Sequence, residues 1–280
     1  MGDDEVEKLL RRGGDWLAEH PERELIANRY LKHQRRLVRD ALEQLLGEDD
    51  EEQEEAREKS AQEEEQAEAR LSLNEQRLGA VMAVLKESGA RRVVDLGCGE
   101  GRLVQALLKE KQFEQITGMD VSHRALEIAQ ERLKLDRLPE KQKKRIQLLN
   151  GSLMYRDERL AGFDAAALVE VIEHLDPPRL AACERVVFEA ARPPLVVLTT
   201  PNAEYNVHWE NLAPGKFRHK DHRFEWTRAE FHAWAQGMAA RFGYGVRFLP
   251  IGPEDAATGP PTQMAVFSLA GQNVAKGGSQ

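Results

Sequence analysis

A short apolar run that breaks into a glycine-rich turn constrains the fold of this chain more than any other stretch. Residues 93–101 are Val-Val-Asp-Leu-Gly-Cys-Gly-Glu-Gly. β-Branched residues bounded by polar ones are typical of a buried parallel strand, and Gly97, Gly99 and Gly101 allow the backbone to turn sharply against a ligand. This stretch therefore predicts a strand, a turn and a helix that together hold a nucleotide-like cofactor.

The spacing of the glycines and the acids around them indicate which cofactor binds. A dinucleotide-binding turn has the pattern G-x-G-x-x-G and places a pyrophosphate at a helix N-terminus. Here the pattern is G-x-G-x-G, and Asp95 and Glu100 bring negative charge to the place of a pyrophosphate, which disfavours NAD. The pattern resembles the first motif of S-adenosylmethionine-dependent methyltransferases. Asp120 ends the next strand-like run, 25 residues after Asp95, and its carboxylate suits the two ribose hydroxyls of an adenosyl group.

Negative charge is concentrated in one segment of the 280-residue chain. Residues 48–75 carry 13 acidic and three basic side chains, a net charge of −10, whereas the whole chain has −8. The remainder is close to neutral, so the acidic average does not exclude a nucleic-acid substrate. Cys98 and Cys183 are too few for a disulfide framework, and neither a signal-like N-terminus nor a membrane-spanning run is visible. We expect a cytoplasmic protein without a membrane partner.

Alternating strand and helix patterns predict an α/β fold with a doubly wound, Rossmann-like parallel sheet. Strands are predicted near residues 91–96, 115–120, 145–150, 163–169 and 195–200, and helices near 71–85, 102–109, 123–134, 179–190 and 228–241. Two last strands near 246–249 and 265–269 predict a closing hairpin with an antiparallel strand. The predicted organisation is a helical N-terminal adaptor segment (1–47), an acidic linker (48–70), a methyltransferase domain (71–270) and a disordered tail (271–280).

A polar turn follows the predicted strand 163–169, at the carboxyl end where ligands collect in open α/β sheets. If a helical turn begins at Glu170, then Glu170, Glu173 and His174 share one face. Carboxylates beside an imidazole suit Mg²⁺ or Mn²⁺, although a solvated polar turn without a metal is an open alternative. Downstream, His219 and His222 lie three residues apart in a loop of acids and aromatics, and they are candidates to complete a metal site.

Four motifs together resemble the family of 2′-O-methyltransferases that act on the 3′-terminal ribose of small RNAs. They are Asp95-Leu-Gly-Cys-Gly-Glu-Gly, Glu170-Val-Ile-Glu-His, Thr200-Pro-Asn-Ala-Glu-Tyr-Asn-Val and Asp221-His-Arg-Phe-Glu-Trp-Thr-Arg. Residues 19–39 are similar to the segment before this domain in the bacterial, RNA-repair branch, which acts beside a polynucleotide kinase-phosphatase. The resemblance implies the C-terminal methyltransferase half of such a protein. It also implies a class I S-adenosylmethionine methyltransferase sheet with a terminal antiparallel strand, preceded by a helical segment.

The resemblance further implies a metal-dependent transfer of a methyl group from S-adenosylmethionine to the terminal 2′-hydroxyl of RNA, which would protect repaired ends. The implied ligands of the divalent metal, Mn²⁺ or Mg²⁺, are Glu170, Glu173, His174 and His222. His174 or His219 is the expected proton acceptor. The expected cofactor contacts are Asp95, Gly97, Gly99, Asp120, Ser152 and Leu153.

Basic and aromatic side chains near the second histidine pair are candidates for binding the RNA 3′ end. The expected phosphate contacts are Lys216, Arg218, Lys220 and Arg223. Four aromatic residues either stack on bases or fill the core, and these are Tyr205, Trp209, Phe224 and Trp226.

Two other functions stay open on the sequence alone. A metal-independent O-methyltransferase for a small phenolic or quinol-like molecule would share the cofactor motif and the turn at Glu170, but it does not account for the Asp221-His222 segment. A non-enzymatic RNA-repair adaptor would use residues 1–75 and carry a relic cofactor fold. The intact glycine turn and Asp120 argue against a relic.

Overall fold

The computed structural model describes residues 73–209, 212–213 and 215–269. The predicted N-terminal segment, the acidic linker and the tail (1–47, 48–70 and 271–280) lie outside the described residues and stay predictions. Among the helices described, none combines the length and the apolar character that a membrane span requires.

The described residues form one mixed sheet at the centre of the domain. Its strands are β1 (Arg92–Leu96), β2 (Gln115–Asp120), β3 (Ile146–Asn150), β4 (Ala165–Val169), β5 (Leu195–Pro201), β6 (Tyr244–Ile251) and β7 (Thr262–Leu269). Their order is β3-β2-β1-β4-β5-β7-β6. Neighbours among β1 to β5 pair in parallel, whereas β7 is antiparallel to both β5 and β6. The predicted doubly wound sheet with a terminal antiparallel strand is confirmed.

Helices precede the first strand, connect the parallel strands and lead into the closing hairpin. They are α1 (residues 73–87), α2 (Arg102–Lys109), α3 (His123–Leu133), the single turn α4 (Glu140–Lys143), α5 (Pro177–Glu184) and α6 (Arg228–Phe242). Ser122 caps α3, because its hydroxyl accepts a hydrogen bond from the Ala125 amide. Thr227 and Glu230 form a capping box that starts α6. Short-range hydrogen bonds thus set where these two helices begin.

The hydrophobic core consists of two clusters, one on each face of the sheet. Val94 and Phe267 belong to one cluster, and Val93 and Ile116 belong to the other. Successive side chains of a strand point to opposite faces, so each central strand contributes to both clusters. This burial on both faces explains why the parallel strands are nearly continuous apolar runs, and β5 is buried at every position. Several buried polar residues lie near the carboxyl ends of the strands, such as Asp95, Thr199 and Thr200.

The helix observed near residues 179–190 differs from the predicted one in where it starts and in the type of helix in its second half. It begins earlier, at Pro177, because proline suits a first helical turn, where its missing N–H group needs no partner. After Glu184 the chain forms a π-helix at Arg185–Ala191. The Arg192 amide then donates to the Val187 carbonyl, five residues earlier, at 2.9 Å.

The closing hairpin is longer than predicted at both strands. Pairing runs without a break from Tyr244 opposite Leu269 to Ile251 opposite Thr262. A partner strand supplies hydrogen bonds even at Gly245, which has little intrinsic preference for a strand. Tertiary pairing therefore extends the strands beyond what the apolar pattern indicates.

Candidate active site

The glycine turn after β1 adopts the predicted sharp conformation. Gly97, Gly99 and Gly101 all have positive φ values, of 81°, 51° and 75°. At position 97 a Cβ atom would lie 2.7 Å from the Val171 side chain, and the Gly97 amide donates to the Met119 carbonyl at 2.8 Å. Glycine is thus required at 97 both for its backbone conformation and for the space it leaves.

Two acids flank this turn, as predicted for the cofactor site. Asp95 is buried, and burial together with repulsion from Asp120 raises its pKa to about 7. Asp120 ends β2, and its carboxylate accepts hydrogen bonds from the amides of Gly99 and Ser122, each at 2.8 Å. The structure therefore brings Asp95, Asp120 and the glycine turn together at the carboxyl ends of β1 and β2.

Ser152 and Leu153 follow β3, in a loop that starts beside Asp120. The Gly151 amide donates to the Asp120 carbonyl at 3.1 Å. The Ser152 hydroxyl accepts a hydrogen bond from the Met154 amide at 3.2 Å, and the Leu153 side chain packs in the hydrophobic core. The loop lies at the expected edge of the sheet, and contact of these two residues with a cofactor stays a prediction.

Three of the predicted metal ligands meet at the end of β4. One ligand atom each from Glu173, His174 and His222 lies within 4.8 Å of the others. The Oε2 atom of Glu173 accepts a hydrogen bond from the Thr200 hydroxyl at 3.1 Å, while Oε1 is buried without a hydrogen-bond partner among the described residues. Burial, followed by repulsion from Glu170, raises the pKa of Glu173 well above its usual value. An unpaired buried carboxylate oxygen is costly, so this donor set fits a divalent cation.

A buried hydrogen-bond network orients His222 toward the cluster. Its Nδ1 atom lies 2.5 Å from Oε1 of Glu225, which also accepts from the Arg218 amide at 2.8 Å. The other oxygen of Glu225 accepts from the Asn206 side chain at 2.5 Å. Burial opposes ionisation of Glu225, yet the hydrogen bonds from His222, Asn206 and Arg218 hold its pKa below the usual range. An ionised Glu225 keeps the proton of His222 on Nδ1 and leaves Nε2 free to bind a metal.

Both candidate proton acceptors are exposed, but only His174 belongs to the three-residue cluster. Partial burial of the ring, followed by the charge of nearby His222, lowers the pKa of His174 and so favours its neutral imidazole. Its ring centroid lies 4.8 Å from that of His222 and 6.0 Å from that of His219. The exposed His219 accepts a hydrogen bond from the Asp221 amide at 3.3 Å. His174 belongs to the cluster and His219 lies at its edge, and which one acts as the base stays a prediction.

Glu170 lies outside the three-residue cluster. The predicted helical turn is wrong at this residue, because Glu170 has a positive φ of 54° and a 3₁₀ helix begins only at Ile172. Its carboxylate accepts a hydrogen bond from the Thr199 hydroxyl at 3.0 Å and lies 3.1 Å from an Nη atom of Arg77. A role of Glu170 as a metal ligand stays a prediction.

Sequence analysis missed Arg77 and Glu225. Arg77 lies on α1, and no local pattern indicates that it meets Glu170, which is far away in the chain. Glu225 stands in the quoted Asp221 motif, and its spacing of three residues from His222 is the one signal for their contact. Both residues act on the site through side-chain contacts that only the folded chain creates.

The predicted RNA contacts fall into two groups. Lys216 and Lys220 are exposed, and Arg223 is largely exposed with an Asp176 oxygen 3.5 Å away. In contrast, Arg218 is partly buried, and its guanidinium donates to the side chain of Asn206 and to the carbonyls of Asn202 and Pro261. Arg218 therefore holds loops together in this structure, and its contact with RNA stays a prediction.

The four aromatic candidates also divide. Phe224 and Trp226 pack against the hydrophobic core, with ring centroids 4.4 Å apart. Tyr205 contacts the His208 ring, and the Arg218 guanidinium lies 5.6 Å from the centre of the Trp209 ring. Core packing thus accounts for the first pair, and stacking on RNA stays a prediction for the second.

The chain is similar to known methyltransferases along most of its length. Residues 1–46 match a family model described as the RNA repair, ligase-Pnkp-associating, region of Hen1, and residues 94–193 match a methyltransferase domain. A crystal structure of the methyltransferase domain of a bacterial Hen1 is 59% identical, with a TM-score of 0.66, and the match covers 70% of this chain and 100% of that one. A crystal structure of the small RNA methyltransferase HEN1 is 32% identical, with a TM-score of 0.64, over 70% of this chain and 25% of that one.

The small RNA 2′-O-methyltransferase of Mus musculus is 35% identical over 212 residues, which are 73% of this chain and 53% of that protein. The chain therefore spans about half the length of the curated relatives that it matches first. The solved bacterial Hen1 methyltransferase domain is matched over its whole length at 59% identity. On this evidence the chain belongs to the Hen1 family.

Proposed function

We propose that this protein transfers a methyl group from S-adenosylmethionine to the 2′-hydroxyl of the 3′-terminal ribose of RNA, with the help of a divalent metal. The observation that carries the proposal is the buried oxygen of Glu173, which has no partner in the described part of the chain and lies beside His174 and His222. A small-molecule methyltransferase that uses no metal has no need of this costly arrangement. The similarity to proteins named small RNA 2′-O-methyltransferases supports an RNA substrate.

The residues around the glycine turn would hold S-adenosylmethionine. The Asp120 carboxylate is positioned by two backbone amides and can accept hydrogen bonds from both hydroxyls of the adenosyl ribose. Asp95 lies beside the turn with a raised pKa, and the positive charge of the bound cofactor would favour its ionised form. The absence of side chains at Gly97 and Gly99 lets the backbone approach the ligand.

Glu173, His174 and His222 would hold the metal, which is Mn²⁺ or Mg²⁺. When bound, the cation acidifies the 2′-hydroxyl of the ribose and orients it toward the methyl group. Glu225 keeps Nε2 of His222 directed at the cluster. Because the one free lone pair of a neutral His174 would be occupied when His174 binds the cation, the hydroxyl proton goes to His219, or to His174 only where His174 is not a metal ligand. If both terminal ribose oxygens contact the cation, an internal nucleotide or a 3′-phosphate end is not a substrate.

Residues 1–46 indicate the biological setting. Their match to the ligase-Pnkp-associating region of Hen1 supports a repair partner of the polynucleotide kinase-phosphatase type. Lys216 and Lys220 are exposed cations available to the phosphates of the RNA end. We infer that methylation protects RNA ends after their repair.

The test is methyl transfer from labelled S-adenosylmethionine to a short RNA, with Mn²⁺ or with EDTA. Three RNAs differ only at the 3′ end, which carries both hydroxyls, a 2′-deoxyribose or a 3′-phosphate. We expect label only on the first RNA and only with metal. Label on none of the RNAs, while the cofactor still binds, would overturn the proposal in favour of a small-molecule substrate.

A further inference from the structure

Large apolar side chains that the described part of the chain leaves exposed lie in the loops around the candidate active site. They are Val121, Tyr155, Val207 and Phe217, with exposed fractions of 74, 75, 78 and 42%. Val121 and Tyr155 lie in the loops after β2 and β3, on the side of the predicted cofactor contacts. Val207 and Phe217 are the chain neighbours of Asn206 and Arg218, which hold the hydrogen-bond network around His222. Isolated exposed apolar residues are ordinary, but a pair tied in this way to the metal cluster indicates an apolar ligand surface.

A single buried carboxylate ties the second pair to the site. Val207 follows Asn206, and Phe217 precedes Arg218. The Asn206 side chain donates to the Glu225 carboxylate at 2.5 Å, and the Arg218 amide donates to it at 2.8 Å. Arg218 Nε also donates to the Asn206 side-chain oxygen at 2.9 Å. Val207 and Phe217 are therefore each next in the chain to a residue that donates a hydrogen bond to the Glu225 carboxylate.

That carboxylate also holds the ring of His222, so the chain neighbours of both exposed residues are connected to the metal cluster through Glu225. The Oε1 atom of Glu225 that accepts the Arg218 amide lies 2.5 Å from Nδ1 of His222. Lys216, next to Phe217, is exposed and offers a positive charge to a phosphate. An apolar surface with an adjacent cation, beside a site for a ribose, matches the three parts of a nucleotide.

We propose that the terminal nucleobase of the RNA stacks on Phe217, with Val207 beside it. The inference rests on the proposed function and deepens it by naming the surface that holds the terminal base. Every nucleobase has an apolar π-face, so stacking tolerates all four bases but requires that a base be present. The protein then accepts RNA ends of any sequence and discriminates against an end that has lost its base.

The experiment compares two RNAs that differ only at the 3′-terminal nucleotide, which is either adenosine or a base-free ribose with both hydroxyls. The affinity of the full chain for each RNA is measured by fluorescence anisotropy, with Mn²⁺ and S-adenosylhomocysteine present. The variants are Phe217→Ala, Phe217→Trp and Val207→Ala. Tyr155→Ala serves as the matched control, because it removes an exposed aromatic side chain from the other side of the site.

We expect the wild-type protein to bind the adenosine end roughly tenfold more tightly than the base-free end. Phe217→Ala should lose most of this preference, Val207→Ala part of it, and Phe217→Trp none, while Tyr155→Ala keeps the wild-type ratio. Equal losses of affinity for both RNAs in Phe217→Ala, or a wild-type protein without any preference, would overturn the inference. Binding needs no turnover, so failure of the proposed function is seen separately, as a wild-type protein that binds the intact end and does not methylate it.

Discussion

Replacement of Glu173 by Gln separates the energetic cost of a buried charge from the role of that charge in binding a metal. Glu173 is fully buried, and its pKa is raised well above the usual value by burial and by Glu170. The folded protein therefore binds the proton of Glu173 more tightly than the unfolded chain does. By linkage, the metal-free protein loses stability as the pH rises above the ordinary glutamate pKa of 4.5 toward the raised pKa of the folded state. Glutamine does not titrate, so Glu173→Gln avoids this loss.

The expected magnitude follows from two opposing effects. A charge without water and without a full set of partners costs several kcal/mol, about 3–5. A glutamine amide left partly unpaired at the same place costs about 1–3 kcal/mol. Without metal at pH 8, Glu173→Gln should therefore exceed the wild-type protein in free energy of unfolding by about 1–2 kcal/mol. Free Mn²⁺ at a hundredfold excess over its Kd should add about 2.7 kcal/mol to the wild-type protein and much less to the variant.

Urea unfolding followed by tryptophan fluorescence measures these differences at pH 5 and pH 8, with EDTA or Mn²⁺. Glu184→Gln is the matched control, since Glu184 is largely buried and accepts a hydrogen bond from Trp234 at 2.8 Å, away from the cluster. It should keep the full effect of Mn²⁺. The reasoning is refuted if Mn²⁺ stabilises Glu173→Gln as much as the wild-type protein, or if the advantage of the variant in EDTA does not grow from pH 5 to pH 8.

Three further predictions concern the residues around the two sites. Glu225→Gln should weaken Mn²⁺ binding by about 10- to 100-fold in a calorimetric titration, and an unchanged Kd would contradict the orienting role. Asp95 has a raised pKa of about 7, so the free energy of unfolding of the wild-type protein should fall between pH 4 and pH 7 by about 4 kcal/mol relative to that of Asp95→Asn. Parallel pH profiles of unfolding for the two proteins would contradict the raised pKa. Gly97→Ala should lower the free energy of unfolding by about 2 kcal/mol or more, since its Cβ would lie 2.7 Å from Val171. Gly99→Ala has open space around its Cβ and should lower that free energy by only about 1 kcal/mol. Equal losses for the two variants in urea unfolding would count against the steric argument.

Short-range patterns account for what was predictable in the fold. The run from Val93 to Gly101 gives a buried strand and a turn with positive φ because β-branched residues and glycines restrict the backbone locally. The cap of α3 at Ser122 was predictable for the same reason, since its hydrogen bond spans three residues. The full length of β6 and β7 was not, because pairing with a partner strand extends both.

The candidate site shows the same division. Glu173, His174 and His222 could be named from residue types and motifs, because few side chains bind a divalent metal and these belong to motifs that the chain shares with the family. The sequence could not reveal that the backbone at Glu170 turns with positive φ and sends its carboxylate to Arg77. It also could not separate Arg218, which is enclosed among carbonyls, from the exposed lysines beside it.

The sequence by itself determined the class of fold, the glycine turn and the residue types of the candidate metal cluster, because periodicity, glycine spacing and ligand chemistry are properties of neighbouring residues. Only the tertiary structure decided which candidate ligands meet, which oxygen of Glu173 has no partner among the residues described, and how Glu225 orients His222. Those outcomes depend on burial and on contacts between distant segments. Burial and charge proximity, which no local pattern contains, set the pKa values of Asp95, Glu173 and His174.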